Sequence, residues 1–232
     1  MIAAVSVETI AILSGPMVGL SYFVGAIPWR AAASRFGMVN DDDLVETQDR
    51  PDRRGDELFV IIEAVVPLML AVAAWNFIGE IAPGADGGFN PSSTFGALSN
   101  QVIPVWQSVA LWTGAAAVLG QIAPIWNRLR GGTGIPAVMA LTLAFAPWIF
   151  AATVLGFLAA FLMGRNRQPA VIIGFFCGLT VAWLGWVTGL NPAWGVNLGP
   201  ELALWTAVMM AMLSPRILLG LDYFDATDPT RG

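Results

Sequence analysis

The chain has 232 residues, 56% of them hydrophobic and only 12% charged, with no histidine and no lysine. All 11 positive charges are therefore arginine, which removes the commonest general base, the commonest metal ligand and every amine nucleophile. A net charge of −5 argues against nucleic acid as a partner, and the single Cys177 permits neither a disulfide framework nor a cysteine-only metal site.

Apolar runs of the length that crosses a bilayer core, roughly 17–25 residues, follow one another along the chain. Most lack the polar face that a soluble helix keeps toward water. They predict an all-α integral membrane protein, one membrane domain over residues 1–232. The first span is read at 5–29 and is not a cleavable signal, because no basic segment precedes it and Arg30 and Arg35 follow it. A polar stretch leads to the second span, 58–78, and a loop at 79–103 with Gly87-Gly88 and Asn90-Pro91 turns leads to the third, 104–126. A short arginine-bearing turn precedes the long apolar stretch 135–163.

That stretch is too long for one untilted crossing. Arginines gather in the first loop (Arg30, Arg35, Arg50, Arg53, Arg54), in the turn after the third span (Arg128, Arg130) and after Met163 (Arg165, Arg167). The loops 79–103 and 190–200 have none. Cytoplasmic loops collect positive charge, so an even number of crossings must separate the turn from Arg165. Spans at 135–146 and 147–163, turning near Ala146-Pro147, satisfy this. Spans at 169–187 and 198–219 complete about seven, with the N-terminus outside and the C-terminus cytoplasmic. Trp29, Trp126, Trp148, Trp186 and Trp194 fall near span ends, as an interfacial aromatic belt does.

The turn Arg128-Leu129-Arg130-Gly131-Gly132-Thr133-Gly134 is the most informative local motif. Glycines just before a helix present backbone N–H groups to an anion, and arginine matches phosphate in charge and shape. An ordinary basic membrane-flanking turn against lipid headgroups has the same composition. Glu63, a few residues into the second span, is an intramembrane carboxylate that serves either function or an ion pair with a cytoplasmic arginine. Glu8 reads as interfacial, and Asp41-Asp42-Asp43 with Glu46 as a solvated loop lacking calcium-site spacing. There is no Gly-x-Ser-x-Gly elbow. No metal and no cofactor is expected.

Taken in order, these segments resemble the bacterial membrane acyltransferases that move an acyl group from acyl-phosphate to glycerol-3-phosphate, the PlsY type. The family's Gly-Ser-Ile-Pro end of the first helix matches Gly25-Ala26-Ile27-Pro28. Its Gly-His-x-x-Pro and Lys-Gly-Gly-Lys-Gly match Gly120-Gln121-Ile122-Ala123-Pro124 and Arg130-Gly131-Gly132-Thr133-Gly134, followed by Ala146-Pro147. A family Asp-x-x-Lys-Gly falls on Glu63 to Pro67, and a C-terminal Arg-Leu-Leu-x-Gly-x-Glu on Arg216, Gly220 and Asp222. The resemblance implies phosphate binding at Arg128, Arg130, Gly131, Gly132, Thr133 and Gly134, supported by Glu63 and Arg216.

The departures fall on the chemistry. Gln121 stands where the family has histidine, Thr133 where it has lysine, and a second histidine position falls near Met210. Nothing in 40–55 resembles the family's Gly-Ser-Gly-Asn phosphate loop. One preorganised charge-stabilising donor is worth ~10²–10³ in rate, so several losses imply a catalytically degenerate relative. Its expected role is an accessory or scaffold subunit of a complex in the bacterial cytoplasmic membrane, with membrane lipids and other subunits as partners. A working acyltransferase built on arginine is the alternative, since an acyl-phosphate is already activated. A small-solute transporter is a second alternative, disfavoured by the few ionisable residues in the spans.

Overall fold

The computed structural model describes residues 7–28, 53–81, 105–127, 131–164, 167–189 and 200–218. Within them lie seven α-helices: α1 (Val7–Gly25), α2 (Arg53–Ile81), α3 (Val105–Ile122), α4 (Ile135–Phe145), α5 (Pro147–Leu162), α6 (Arg167–Thr188) and α7 (Pro200–Leu218). A single 3₁₀ turn, Ile125–Asn127, follows α3. Of the expected loops at 30–57 and 79–103, residues 30–52 and 82–103, and with them Asp41, Asp42, Asp43 and Glu46, lie outside the described residues, as does the side chain of Glu8.

The helix ends differ from the expected span ends for local reasons. α1 stops at Gly25 and α3 at Ile122, each short of the sequence reading, because Pro28 and Pro124 push their preceding residues out of the helical region. α2 starts earlier, at Arg53, because Arg53, Arg54, Glu57 and Leu58 are good helix formers that carry it past the apolar run. The break in 135–163 falls at Ala146, at φ −144° and ψ 64°, with Pro147 opening the next helix.

Contacts fix the relative directions of most helices. Leu13 and Met17 of α1 pack with Ala74 and Ile78 of α2 and Val109 of α3. Tyr22 and Gly25 of α1 meet Gly120 and Ala117 of α3. Helices α1 and α3 therefore run parallel. The other end of α2 reaches the far end of α3, where Gln121 meets Glu63, so α2 is antiparallel to both. In α4, Leu141 lies at Ala71 and Gly114, and Phe145 stacks on Trp75 at a centroid distance of 5.5 Å, so α4 runs with α2. In α7, Glu201 meets Ser108 and Trp112 while Leu213 lies beside Gly134, so α7 runs with α3. Helices α5 and α6 are antiparallel, since Ile149 faces Gly178 whereas Phe157 faces Gly174.

The core is aromatic and aliphatic at the centre of α2, α3, α4 and α7, with Trp75, Trp205, Phe145 and Leu141 fully buried. Between helices in a bilayer such side chains gain dispersion contacts through close packing rather than release from water. Trp205 also donates to the Leu111 carbonyl at 3.0 Å, which satisfies its buried N–H. The outer surface of α5 and α6 is apolar: Leu155, Phe161, Leu162, Phe176 and Trp183 are exposed. Among the described residues, two helical segments, Val60–Ile78 and Pro169–Thr188, are long and apolar enough to cross a membrane.

Backbone closeness between α1 and α3 is extreme. A Cβ at Gly25 would lie 2.1 Å from the Ala117 carbonyl oxygen, and one at Gly120 would lie 2.1 Å from that of Tyr22. Only glycine permits this crossing, an instance of the small-residue packing that brings membrane helices into backbone contact.

Candidate phosphate site at the glycine turn

The ends of α1 and α3 are sewn together by side chains that find the orphan carbonyls of both helices. The Tyr22 hydroxyl donates to the Ala123 carbonyl at 2.7 Å, and the Trp126 indole N–H donates to the Ala26 carbonyl at 2.6 Å. Phe23 stacks on Trp126 at 6.1 Å. Trp126, expected in an interfacial belt, is half exposed and at the same time a fastener between two helix ends.

The glycine turn folds back onto this junction. The Gly132 N–H donates to the Gln121 carbonyl at 2.9 Å. A Cβ at Gly131 would lie 1.9 Å from the same oxygen. Gly134 takes a left-handed conformation, φ 69°, and serves as the N-cap of α4 without a side-chain cap bond. It is enclosed by Ile122 of α3 and Leu213 of α7. The turn therefore sits where three helices converge, at the N-terminus of an 11-residue helix.

This geometry narrows the expected anion cradle. The N–H of Gly132 faces a carbonyl and is not available to a ligand. Among the described residues, the N–H groups of Thr133 and Gly134 have no carbonyl partner. These two, with the first turn of α4, are the groups that suit an anion. Thr133 is half-buried. Arg128 and Arg130 lie outside the described residues, as does the side chain of Arg216, whose backbone belongs to α7. Met210 packs against the main core.

Gln121 has a role that the sequence did not disclose. It is buried, 8% exposed, and its Nε2 donates to the backbone carbonyl of Glu63 at 2.9 Å. In an unbroken helix that carbonyl would accept from the N–H four residues on, at Pro67, which has none. The carboxamide replaces the missing donor. Its Oε1 is buried without a hydrogen-bond partner. The Glu63 side chain is half-buried in α2 beside this contact. The signal that could have disclosed the pairing is Pro67 inside an apolar helix, which leaves one carbonyl in search of a donor.

At the opposite end of the bundle the Glu201 carboxylate accepts from the Ser108 hydroxyl and, at 2.9 Å, from the Trp112 indole N–H. This clamp and the Trp205 bond to the Leu111 carbonyl fix the register of α7 on α3. The turn-side contact of Leu213 follows from that register.

The sequence model of the family described as "Glycerol-3-phosphate acyltransferase" matches residues 60–218, more than half of the chain. The chain belongs to this family. Among solved structures it is similar to the integral membrane glycerol 3-phosphate acyltransferase PlsY (YgiH) in its glycerol 3-phosphate form, with a TM-score of 0.55 at 16% identity, covering 90% of this chain and 94% of that one. The lysophosphatidic acid form of the same protein gives a TM-score of 0.55 at 17% identity with the same coverage. At such identities the likeness establishes the shared fold, an all-helical bundle known from an integral membrane enzyme. No curated protein sequence matches the chain.

Proposed function

We propose that this family member is catalytically degenerate, holding a phosphate-bearing ligand or lipid headgroup at the glycine turn and acting as an accessory subunit of a membrane assembly. The observation that carries the reading is the engagement of Gln121 with the Glu63 carbonyl. Where the resemblance places a histidine, this chain has an amide that neither takes nor gives a proton, and that amide is occupied in completing α2 across Pro67. The absence of histidine and lysine from the whole sequence points the same way.

The proposed setting is the bacterial cytoplasmic membrane, crossed seven times with the N-terminus outside. The parallel course of α1, α3 and α7, opposite to α2 and α4, is compatible with that path. In it the turn and the arginine-bearing loops share the cytoplasmic side.

An active acyltransferase remains the second reading, and the retained glycine turn favours it. An acyl-phosphate is already activated, so Thr133, the start of α4 and Arg130 would have only to position the reactants and neutralise charge. Purification from native membranes in mild detergent, paired with deletion of the gene, tests the accessory role. The proposal expects a partner in fixed stoichiometry and a weakened partner complex on deletion, with phospholipid synthesis intact. Recovery of the chain alone together with a loss of phospholipid synthesis would contradict it.

A further inference from the structure

Every arginine in or beside a described helix lies toward one end of the bundle. Arg53 and Arg54 open α2, Arg128 follows α3, Arg167 opens α6 and Arg216 is near the end of α7. At the other end, away from the glycine turn, α3 and α7 begin and α2 and α6 finish. No arginine occurs there, since 55–127 and 168–215 contain none, and the chain has no lysine or histidine. Acids do occur there: the backbone places Glu8 at the start of α1, Glu80 at the end of α2 and Glu201 at the start of α7.

Glu201 is the one of these that the described contacts hold in place. Its Oε1 takes both donors, the Ser108 hydroxyl and the Trp112 indole N–H at 2.9 Å. Among the described residues, Oε2 has no hydrogen-bond or ionic partner. Gln107, on the same turn of α3, is 7% exposed and also has no side-chain hydrogen bond among them. A half-buried carboxylate in a membrane protein is costly unless a cation meets it. Two neutral donors offset part of that cost, and no side-chain cation of this chain lies at this end to offset the rest.

We propose that Glu201 anchors a second binding site, which takes an ammonium group carrying N–H bonds, on a phospholipid headgroup or on a free amine. Oε2 supplies charge and lone pairs, and the ammonium supplies the hydrogen. Because Ser108 and Trp112 already hold Oε1, the carboxylate is oriented in advance and loses little freedom on binding. The surroundings suit a headgroup. Leu204, one turn along α7 on the same face as Glu201, is exposed. Trp148 near the start of α5 and Trp186 near the end of α6 are exposed at the same end, where an interfacial belt places tryptophan. An acyl chain lying along Leu204 brings its headgroup to the level of Glu201. Calcium is a poorer match, since it takes about 6–8 oxygen ligands, and no group of three acids is gathered among the described residues. The site lies at the opposite end from the glycine turn and needs neither phosphate binding there nor catalysis.

Calorimetric titration of the full chain in detergent tests it. One pair of probes is phosphatidylethanolamine and phosphatidylcholine in mixed micelles; the second pair is ethanolamine and choline in solution. Within each pair the charge is the same, but the quaternary ammonium has no N–H to give. The N–H-bearing member of at least one pair should bind roughly tenfold or more tightly than its partner. Glu201→Gln keeps an oxygen for Ser108 and Trp112 while removing the charge, and should bring that preference to near one. Selectivity in the lipid pair assigns the ligand to a headgroup, and selectivity in the soluble pair alone assigns it to a free amine; both support the site. A preference that survives in Glu201→Gln overturns the proposal, as does equal binding within both pairs, or no binding of any probe, by the parent chain. If the variant fails to fold, the comparisons in the parent chain decide. Acyl transfer by the protein would refute the degenerate reading while leaving the ammonium preference intact, so the two failures are distinguishable.

Discussion

Gln121 gives α2 the hydrogen-bond donor that Pro67 lacks. The two residues belong to different helices, and the bond spans 58 positions of sequence, from Gln121 to the Glu63 carbonyl. A proline inside a helix costs about 3 kcal/mol or more when nothing compensates. Compensation here comes at the position where the sequence resemblance places a histidine. The pairing predicts an energetic coupling. Gln121→Met should destabilise the Pro67 protein by about 1–3 kcal/mol, because a buried carbonyl loses its donor. In a Pro67→Ala background the same change should cost about 1 kcal/mol less. Thermal unfolding of the four proteins in one detergent measures the coupling, and additive effects would show that the bond does not replace the backbone donor.

The α1–α3 crossing gives a second prediction. With the Tyr22 carbonyl oxygen 2.1 Å from a Cβ at Gly120, Gly120→Val forces backbones apart rather than shifting a flexible side chain. Overpacking usually costs ~1–3 kcal/mol, and this site belongs at the upper end or beyond. Gly15→Ala, where nothing lies within 4 Å, should be neutral or slightly stabilising. Equal tolerance of both changes in yield and unfolding temperature would contradict the crossing.

Much of this fold was legible in the sequence because apolar runs, arginine placement and prolines act locally. Seven helices and the break at Ala146-Pro147 follow from such signals. The early stops of α1 and α3 were legible too, in Pro28 and Pro124, and were missed because hydropathy continues past them. The site was less legible. The glycine turn announces an anion cradle, yet its Gly132 N–H is taken by the Gln121 carbonyl, a contact set by how the chain returns after Pro124. Glu201 carries no signal of its own in the sequence, since a single acid at a helix start is ordinary until the fold brings Ser108 and Trp112 to it.

That clamp supplies the third prediction. Glu201→Leu leaves the Ser108 hydroxyl and the half-buried Trp112 N–H without their acceptor, and should cost about 1–3 kcal/mol. Glu201→Gln keeps an oxygen for both donors and should lose less than half as much. Unfolding of the two variants checks this; a leucine variant as stable as the glutamine variant would remove the clamp from the account.

Topology gives the fourth. In a Cys177→Ala background, cysteines at Gly87 and Asn191 should react with an impermeant reagent added outside intact cells, and those at Thr47 and Gly164 should not. Labelling at both Gly87 and Gly164, or at neither, would mean that 135–163 crosses once.

The most direct measurement is acyl transfer by the purified chain from acyl-phosphate to glycerol-3-phosphate. A degenerate member should give no turnover above background, and Gln121→His with Thr133→Lys should not restore it, because the family's serine-bearing phosphate loop has no counterpart in 40–55. Robust turnover by the unmodified protein, abolished by Arg130→Ala, would contradict the account and establish an acyltransferase that works with arginine alone.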